Sequence, residues 1–418
     1  MKKNKLLNQW LWRWHFIAGL ISLPFIVVLS LTGGIYLFKD KYEKPIQEPI
    51  TTVAAVGTPI SYQKQWELAN ARMENKPNAM VVPMNPDQAT EFVSGRFSHK
   101  TSLFVDPYRA KVSGTVKANE GLMYKVRKLH GELLMGSFGT KVVELVASWL
   151  VVLILTGVYV FWPFRNQGLK AFFIPRVKEG KRIFFRDVHA ISGFWVSGLL
   201  LLVLAGAFPW TDVVGSNFKW VQDVTQTGYP NTWMGIGLKS ETGTKKVSLD
   251  DMVETAKALE LPGTVSIGFP KSEMGVYSIS NTYYRDLEKQ VKYHYDQFSG
   301  EPVLKQTWAD VGLLMRGRMW VMAFHQGQFG AWNWYLMLLV ALLLAVMSIS
   351  ALVSYSLRKR KGHWGVPKVS KNFNAGYGVV IALIFMGFLF PLFGLSLLLI
   401  WMGFQVKVYF RKRREPAM

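Results

Sequence analysis

The stretch Leu129-His-Gly-Glu-Leu-Leu-Met-Gly-Ser-Phe-Gly139 leads directly into the apolar run from residue 142 to residue 164. A similar stretch, Phe324-His-Gln-Gly-Gln-Phe-Gly330, leads into the apolar run from residue 334 to residue 357. Each copy places a histidine, then glycines and a Phe-Gly pair, at the mouth of a segment long enough to cross a bilayer as a helix. Self-similarity of this kind predicts that the chain repeats one structural unit.

The hydrophobic residues are gathered into long runs. They make up 50% of the chain, against 18% charged residues. The run from Phe16 to Phe38 carries no charge, which the hydrocarbon core requires of a helix and which a helix buried in a soluble protein rarely sustains. The sequence therefore predicts an integral membrane protein.

The net charge of +22 raises the question of a nucleic-acid partner. Most of the excess flanks the apolar runs, on the sides that would face the cytoplasm, and this is the positive-inside pattern of membrane proteins. We therefore expect membrane lipid, and no nucleic acid, as a partner. The basic residues are Lys2, Lys3, Lys5 and Arg13; Arg165, Lys170, Arg176, Lys178, Lys181, Arg182 and Arg186; Arg358 to Lys361; and Arg411 to Arg414.

The sequence contains no cysteine. Disulfides, iron–sulfur clusters, thiolate zinc sites and covalent c-type haem are thereby excluded together. It also has no Gly-rich phosphate loop, dinucleotide fingerprint, Ser-His-Asp arrangement or HExxH motif. If the protein handles electrons, a partner has to supply them.

The order of the apolar runs predicts the topology. The first run is too long for a signal peptide and lacks a cleavage pattern, which indicates an uncleaved anchor with the amino terminus in the cytoplasm. Residues 10–166 and 184–360 then form two parallel copies of one unit, in which a span leaves, an outer domain follows and a span returns. The predicted segments are the tail and first span (1–38), outer domain 1 (39–127), the second span (128–164), a cytoplasmic loop (165–187), the third span (188–210), outer domain 2 (211–320), the fourth span (321–357), a second cytoplasmic loop (358–375), a C-terminal hairpin (376–408) and a basic tail (409–418).

Both outer segments carry the signals of a small α+β domain. Each begins with an amphipathic helix, over 61–73 or 248–259, and each contains a turn that starts at Asp106 or Asp296. The predicted strands are 79–83, 91–98, 101–106 and 111–116 in the first segment and 264–269, 275–281 and 292–296 in the second.

The last apolar run, from Tyr377 to Phe404, is too long for one comfortable span and has Pro391 in its middle. Proline breaks a helix, and a single crossing would place the basic tail outside. The pattern favours a bent pair of short helices that enters the membrane and returns.

The predicted topology sorts four histidines into two levels. His15 and His189 open spans that leave the cytoplasm, whereas His130 and His325 precede spans that enter from outside. A single histidine at a membrane edge is usually an interfacial residue, but two imidazoles from different helices can ligate haem iron from both sides. Zinc is the alternative metal, and a closed zinc site needs about four ligands in one place. Each level offers two histidines.

Glycines and arginines lie near these histidines. Gly19 and Gly193 follow His15 and His189 by four residues, where a missing side chain admits either a flat macrocycle or a closely packed helix. Nearby arginines could bind haem propionates through charge-assisted hydrogen bonds, although topology alone also explains the first of them. They are Arg13, Arg127, Arg316 and Arg318.

The Trp-His15 and Leu-His130-Gly spans, together with the turns Asp106-Pro-Tyr-Arg-Ala and Asp296-Gln-Phe-Ser-Gly300, resemble the PepSY-associated transmembrane proteins. This family includes inner-membrane ferric-siderophore reductases. The resemblance implies a mainly α membrane protein of the bacterial inner membrane, with two periplasmic α+β PepSY-like domains. It also implies a four-helix bundle that binds two b-type haems through paired histidines, His15 with His189 and His130 with His325.

The leading functional hypothesis is a di-haem electron conduit that takes electrons from a cytoplasmic or quinol donor and reduces a ferric siderophore, or another ferric chelate, outside the membrane. One alternative is a non-redox regulator of a periplasmic protease, and another is a reductase of copper, since Met315, Met319 and Met322 lie near the outer histidines. A transporter is disfavoured because no charged residue marks the middle of a span.

Overall fold

The computed structural model describes residues 4–162, 168–359, 362–370, 373 and 375–414. The chain divides into two compact units. We call Met1–Ile35, Arg127–Trp220 and Tyr335–Met418 the membrane unit, and Tyr36–Val126 and Val221–Trp334 the sheet unit. Several basic residues used in the topology prediction, Lys2, Lys3, Arg165, Arg360 and Lys361, lie outside the described residues, as do 415–418 of the predicted basic tail.

The helices within the described residues follow one another in chain order, with long ones flanking two groups of short ones. They are α1 (Lys5–Tyr36), α2 (Lys39–Thr51), α3 (Tyr62–Arg72), α4 (Leu122–Glu132), α5 (Gly136–Phe161), α6 (Lys181–Ala207), α7 (Val213–Val224), α8 (Leu249–Ala258), α9 (Leu313–His325), α10 (Ala331–Arg358), α11 (Tyr377–Leu389) and α12 (Pro391–Arg414).

Five helices in the described part of the chain are long and apolar enough to cross a membrane. Four of them, α1, α5, α6 and α10, are the predicted spans, and the fifth lies in α12. α1 and α6 begin before their apolar runs, whereas α5 and α10 begin at Gly136 and Ala331, later than the predicted 128 and 321. Since α1 starts at Lys5 and α6 at Lys181, the basic residues before the apolar runs form helical turns, and His15 and His189 lie two to three turns inside their helices.

The C-terminal region breaks where the sequence predicts a break. α11 ends at Leu389 and α12 begins at Pro391, a residue that fits the first turn of a helix and cannot continue one. The two helices then turn back on each other, so that a Cβ at Gly387 would lie 3.3 Å from the Cα of Gly394. The prediction of two short helices is wrong for the second, because α12 has 24 residues and its chain stays helical into the basic tail.

Glu144 is a fully buried carboxylate inside α5. Its two oxygens accept the backbone N–H groups of Val213 at 2.8 Å and Val214 at 3.1 Å, where α7 begins. These donors have no partner inside their own helix, so the carboxylate caps α7. The sequence prediction overlooked this charged residue, which serves helix capping.

The sheet unit is built on one eight-stranded antiparallel sheet, with the order β4-β3-β2-β1-β5-β6-β7-β8. The two outer segments therefore share a sheet, because β1 pairs with β5 and places Met80 opposite Ile267. The strands are β1 (Ala79–Val81), β2 (Thr90–Ser94), β3 (Thr101–Asp106), β4 (Lys111–Lys117), β5 (Thr264–Gly268), β6 (Val276–Thr282), β7 (Val291–Asp296) and β8 (Pro302–Thr307).

The two predicted amphipathic helices are confirmed as α3 and α8, and they cover one face of the sheet. Ser61 and Ser248 cap them, and the Asp250 carboxylate of α8 also accepts the N–H of Tyr62 at 2.7 Å. Between helices and sheet lies an apolar core that includes Met80, Phe92, Val105, Met252, Ile267 and Ile279.

The structure departs most from the predicted strands in two places. β2 ends at Ser94 and not at residue 98, because Gly95 adopts a left-handed φ of +72° that ends the extended backbone. The edge strand β8 was not predicted, since it begins with Pro302 and is largely exposed, and such a strand lacks an apolar alternation. Both predicted turns are confirmed, with Asp106 and Asp296 accepting backbone N–H groups two and three residues on.

Candidate functional site

His15 on α1 and His189 on α6 lie side by side within the membrane unit. Their ring centres are 6.3 Å apart and their planes are inclined by 73°. Two metal–nitrogen bonds of about 2 Å each, together with the distance from each nitrogen to the centre of its ring, add up to about the same separation. The pair is therefore spaced as two imidazoles that ligate one metal ion from opposite sides.

The neighbouring hydrogen bonds fix the tautomer of His15. Its Nδ1 lies 3.0 Å from Oγ1 of Thr156 on α5, and that hydroxyl lies 2.7 Å from the carbonyl oxygen of Val152. Because Thr156 donates its one proton to Val152, its oxygen accepts from Nδ1–H of His15. The lone pair of His15 then belongs to Nε2, the nitrogen required for a metal bond.

The same argument holds for His189, with a different partner. Its Nδ1 lies 2.9 Å from the carbonyl oxygen of Met347 on α10. A carbonyl oxygen can only accept, so Nδ1 of His189 carries the proton and Nε2 the lone pair. Each histidine of the pair is thus oriented through its Nδ1 by an oxygen atom of another helix, α5 for His15 and α10 for His189. Metal-ligating histidines are usually oriented in this way.

His130, at the end of α4, repeats this pattern elsewhere in the membrane unit. Its Nδ1 lies 3.1 Å from Oγ1 of Thr32 on α1, whose hydroxyl donates to Val28 at 2.6 Å. Nδ1 of His130 therefore donates and Nε2 holds the lone pair. Thr32 lies 17 residues after His15 on α1, about 26 Å along a helix. The two histidines therefore lie near opposite ends of α1 within the membrane unit.

Two glycines give the histidine rings room. A Cβ at Gly157 would lie 3.0 Å from Cε1 of His15, and a Cβ at Gly33 would lie 3.1 Å from Cε1 of His130. Each glycine directly follows the threonine that binds the same ring. The segments Leu31-Thr-Gly33 and Leu155-Thr-Gly157 therefore play the same role. They have the same sequence, Leu-Thr-Gly, and this repeat is the signal that could have identified both threonine acceptors from the sequence.

The glycines chosen from the sequence have other neighbours. A Cβ at Gly193 would lie 3.1 Å from Sδ of Met347, so this glycine lets α10 approach closely enough for Met347 to bind His189. A Cβ at Gly19 would make an ordinary 3.8 Å contact with Leu153. For Gly193 the surroundings favour helix packing over contact with a macrocycle.

The remaining predicted residues are divided between the two units. Arg13 lies on α1 two residues before His15, and Arg127 is an exposed residue of α4. Arg316, Arg318 and His325 lie on α9 in the sheet unit. Arg318 donates to Gln222 at 3.4 Å, whereas the buried Nε of Arg316 has no acceptor among the described residues. The pairing of His130 with His325 stays a prediction from the sequence.

The donors fit a haem better than a bare metal ion. Within the described residues, no group of three or more His, Cys, Asp or Glu side chains is placed to hold a metal. A closed zinc site therefore lacks ligands, whereas haem iron takes its equatorial nitrogens from the macrocycle and needs two axial ligands from the protein. His15 and His189, both with Nε2 available, supply such a pair.

A comparison with protein families matches residues 12–358 to the PepSY-associated TM region. The match covers most of the chain, so the protein belongs to this family of membrane proteins. No curated protein matches the sequence.

Proposed function

We propose that this protein carries electrons across the bacterial inner membrane on two b-type haems and reduces a ferric chelate, such as a ferric siderophore, in the periplasm. The observation that carries the proposal is the pair of His15 and His189, with ring centres 6.3 Å apart and each Nδ1 donating to an oxygen of a neighbouring helix. Paired imidazoles that leave no iron position open are suited to electron transfer.

The chain itself contributes orientation and insulation. Thr156 and the Met347 carbonyl hold the His15 and His189 rings in the tautomer that presents Nε2. Hydrogen bonding of Nδ1–H makes an imidazole a stronger donor to iron and so favours the ferric state. The bound haem would supply a one-electron couple, and the apolar helices around it would keep water away and lower the local dielectric.

The outer haem of this proposal rests on the sequence. His130 would be one ligand, because Thr32 and Gly33 hold its ring as Thr156 and Gly157 hold that of His15. His325 would be the other. Arg316, with its buried Nε lacking an acceptor among the described residues, is suited to an anionic group such as a propionate. The positive-inside pattern favours an amino terminus in the cytoplasm, the side on which a soluble or quinol donor would act.

The proposal is tested with the purified protein in detergent. Absorption spectra before and after reduction reveal haem, and ferric hydroxamates, ferric catecholates and Cu(II) are then compared as oxidants of the reduced protein. We expect rapid reoxidation by a ferric chelate, abolished by His130→Ala and His325→Ala and unchanged by His363→Ala, an exposed histidine outside the helices. Reoxidation by copper alone would overturn the iron assignment. A colourless protein from cells with sufficient haem would instead favour the non-redox regulator.

A further inference from the structure

The sheet has a second face, opposite α3 and α8, and it carries a cavity of about 860 Å³ that lies wholly within the sheet unit. Strand periodicity explains its polar floor. Ile267 and Ile279 point into the apolar core, and their neighbours Ser266, Ser278 and Ser280 line the cavity. A cavity of this size is adequate for a ligand of several rings.

The charge of the cavity has one sign. Five cationic side chains line it, and no Asp or Glu does. Lys100 is compensated by an ion pair with Glu91 at 2.8 Å. Within the described residues, none of the ion pairs involves the other four, which are Arg96, Lys239, Lys271 and Lys292. A concave surface lined by one sign of charge concentrates its field and attracts ions of the opposite sign.

Lys292 lies at the floor of this cavity. It is the cross-strand neighbour of Ser280 and is largely removed from solvent. Burial, together with the charges of Arg96 and Lys271, lowers the pKa of its ammonium group to about 8. An ammonium group placed among cations in a partly buried position destabilises the fold, and a bound anion would relieve that cost.

The rim combines a cation with an aromatic ring. Phe97 is 83% exposed and adopts a left-handed φ of +50°, which is rare for an aromatic residue. The loop is also tightly closed at Gly95, because a Cβ at this position would lie 2.2 Å from the carbonyl oxygen of His99. The backbone thus presents Arg96 and Phe97 together at the mouth of the cavity, at the expense of local strain.

We infer that this cavity binds a polyanion that carries aromatic rings, of the class of metal tris-catecholates, with Arg96 and Lys292 as anion contacts and Phe97 as a ring contact. The inference deepens the proposed function by naming the chemical class of its ferric chelate, and only the redox role of the site rests on that function. Neutral and cationic chelates, such as trihydroxamate complexes, gain no binding affinity from the uncompensated positive charge of the cavity.

Gallium(III) complexes test binding apart from reduction, because Ga(III) has the charge of Fe(III) and no accessible lower state. The full-length protein in detergent is titrated at low ionic strength with a trianionic Ga(III) tris-catecholate and a neutral Ga(III) trihydroxamate, and tryptophan fluorescence is followed. We expect saturable binding of the catecholate, at least about tenfold tighter than that of the hydroxamate and weakening as salt rises.

The variants separate charge from ring contact. Arg96→Gln with Lys292→Gln should weaken catecholate binding by at least about tenfold, and Phe97→Ala by a smaller factor. Lys64→Gln, which removes one positive charge at an exposed site on α3, should leave the affinity unchanged. Equal binding of the two complexes, full affinity in the double variant, or no saturable binding would each overturn the inference. If the double variant does not fold, Phe97→Ala and the dependence of binding on salt still test the inference. A colourless protein that still binds the catecholate would refute the proposed function and leave this site standing.

Discussion

Thr156 accepts a hydrogen bond from Nδ1 of His15 at 3.0 Å because its own proton is already donated to Val152. The relationship is reciprocal between the same parts of the chain. His15 of α1 contacts Thr156 and Gly157 of α5. Thr32 and Gly33 of α1 in turn contact His130, which lies shortly before α5. The two segments therefore run antiparallel and each orients the other's imidazole.

Removing this acceptor should alter the site without removing its ligands. Thr156→Val keeps the shape of the side chain, removes the hydroxyl acceptor of Nδ1–H of His15 and should cost about 0.5–1.5 kcal/mol in haem affinity. The reduction potential of the inner haem should rise, since the imidazole becomes a weaker donor. Potentiometric titration measures the shift. Thr156→Ser should restore the original potential, and Thr140→Val, which alters a hydroxyl that donates to Gly136 within α5, should leave it unchanged. Equal potentials in Thr156→Val and the parent protein would contradict the role of Thr156.

A methyl group at Gly157 should displace His15. The added Cβ of Gly157→Ala would lie 3.0 Å from Cε1 of the ring, closer than such contacts ordinarily are, and the ring borders helices on both sides. We expect loss of inner-haem absorption while the helical content measured by circular dichroism is kept. Gly198→Ala is the matched control, because a Cβ at Gly198 on α6 meets nothing within 4 Å. Normal haem content in Gly157→Ala would show that the ring is not held against this glycine.

Sequence reasoning located the elements of the fold better than their partners. The four spans, the helices α3 and α8 and the turns at Asp106 and Asp296 were predictable, because each is encoded by local periodicity or by one side chain. The acceptors Thr156 and Met347 were not identified, since a hydrogen bond between distant helices depends on how each helix is rotated. The pairing of β1 with β5 likewise depends on contacts almost 190 residues apart. The parallel repeat stays a prediction.

Binding in the basic cavity should depend on pH through Lys292. Its pKa in the folded protein is about 8, so its positive charge is present below pH 8 and is lost above it. Affinity for the trianionic gallium complex should therefore fall between about pH 7 and pH 9. Among the groups that face Lys292, the guanidinium of Arg96 remains charged throughout this window, and Lys271 resides at the same cavity. The buried His294, whose pKa burial and Lys292 lower to about 4, stays neutral. Lys292→Arg should bind with little pH dependence up to pH 9. An unchanged slope in this variant would show that another group is responsible.

The same lysine should trade stability for affinity. Because its folded pKa lies below the value of 10.5 expected when unfolded, Lys292 destabilises the folded state, fully below pH 8 and progressively less as pH rises towards 10.5. Lys292→Gln should therefore raise the free energy of unfolding of the sheet unit at pH 7, by on the order of 1–3 kcal/mol after allowance for partial exposure. Thermal unfolding followed by tryptophan fluorescence measures the change, with Lys64→Gln as the reference. A lower melting temperature for Lys292→Gln would contradict a buried, uncompensated charge.

The most direct test of the account is the haem content of the purified protein, determined as pyridine haemochrome per chain in the parent, in His189→Ala and in His363→Ala. The central claim is that His15 and His189 ligate one b-type haem from opposite sides. We expect two haems in the parent and in His363→Ala, and one in His189→Ala with the reduced-minus-oxidised spectrum of the remaining haem preserved. A parent protein without haem, or a His189→Ala variant that retains the full haem content and an unaltered spectrum, would contradict the claim.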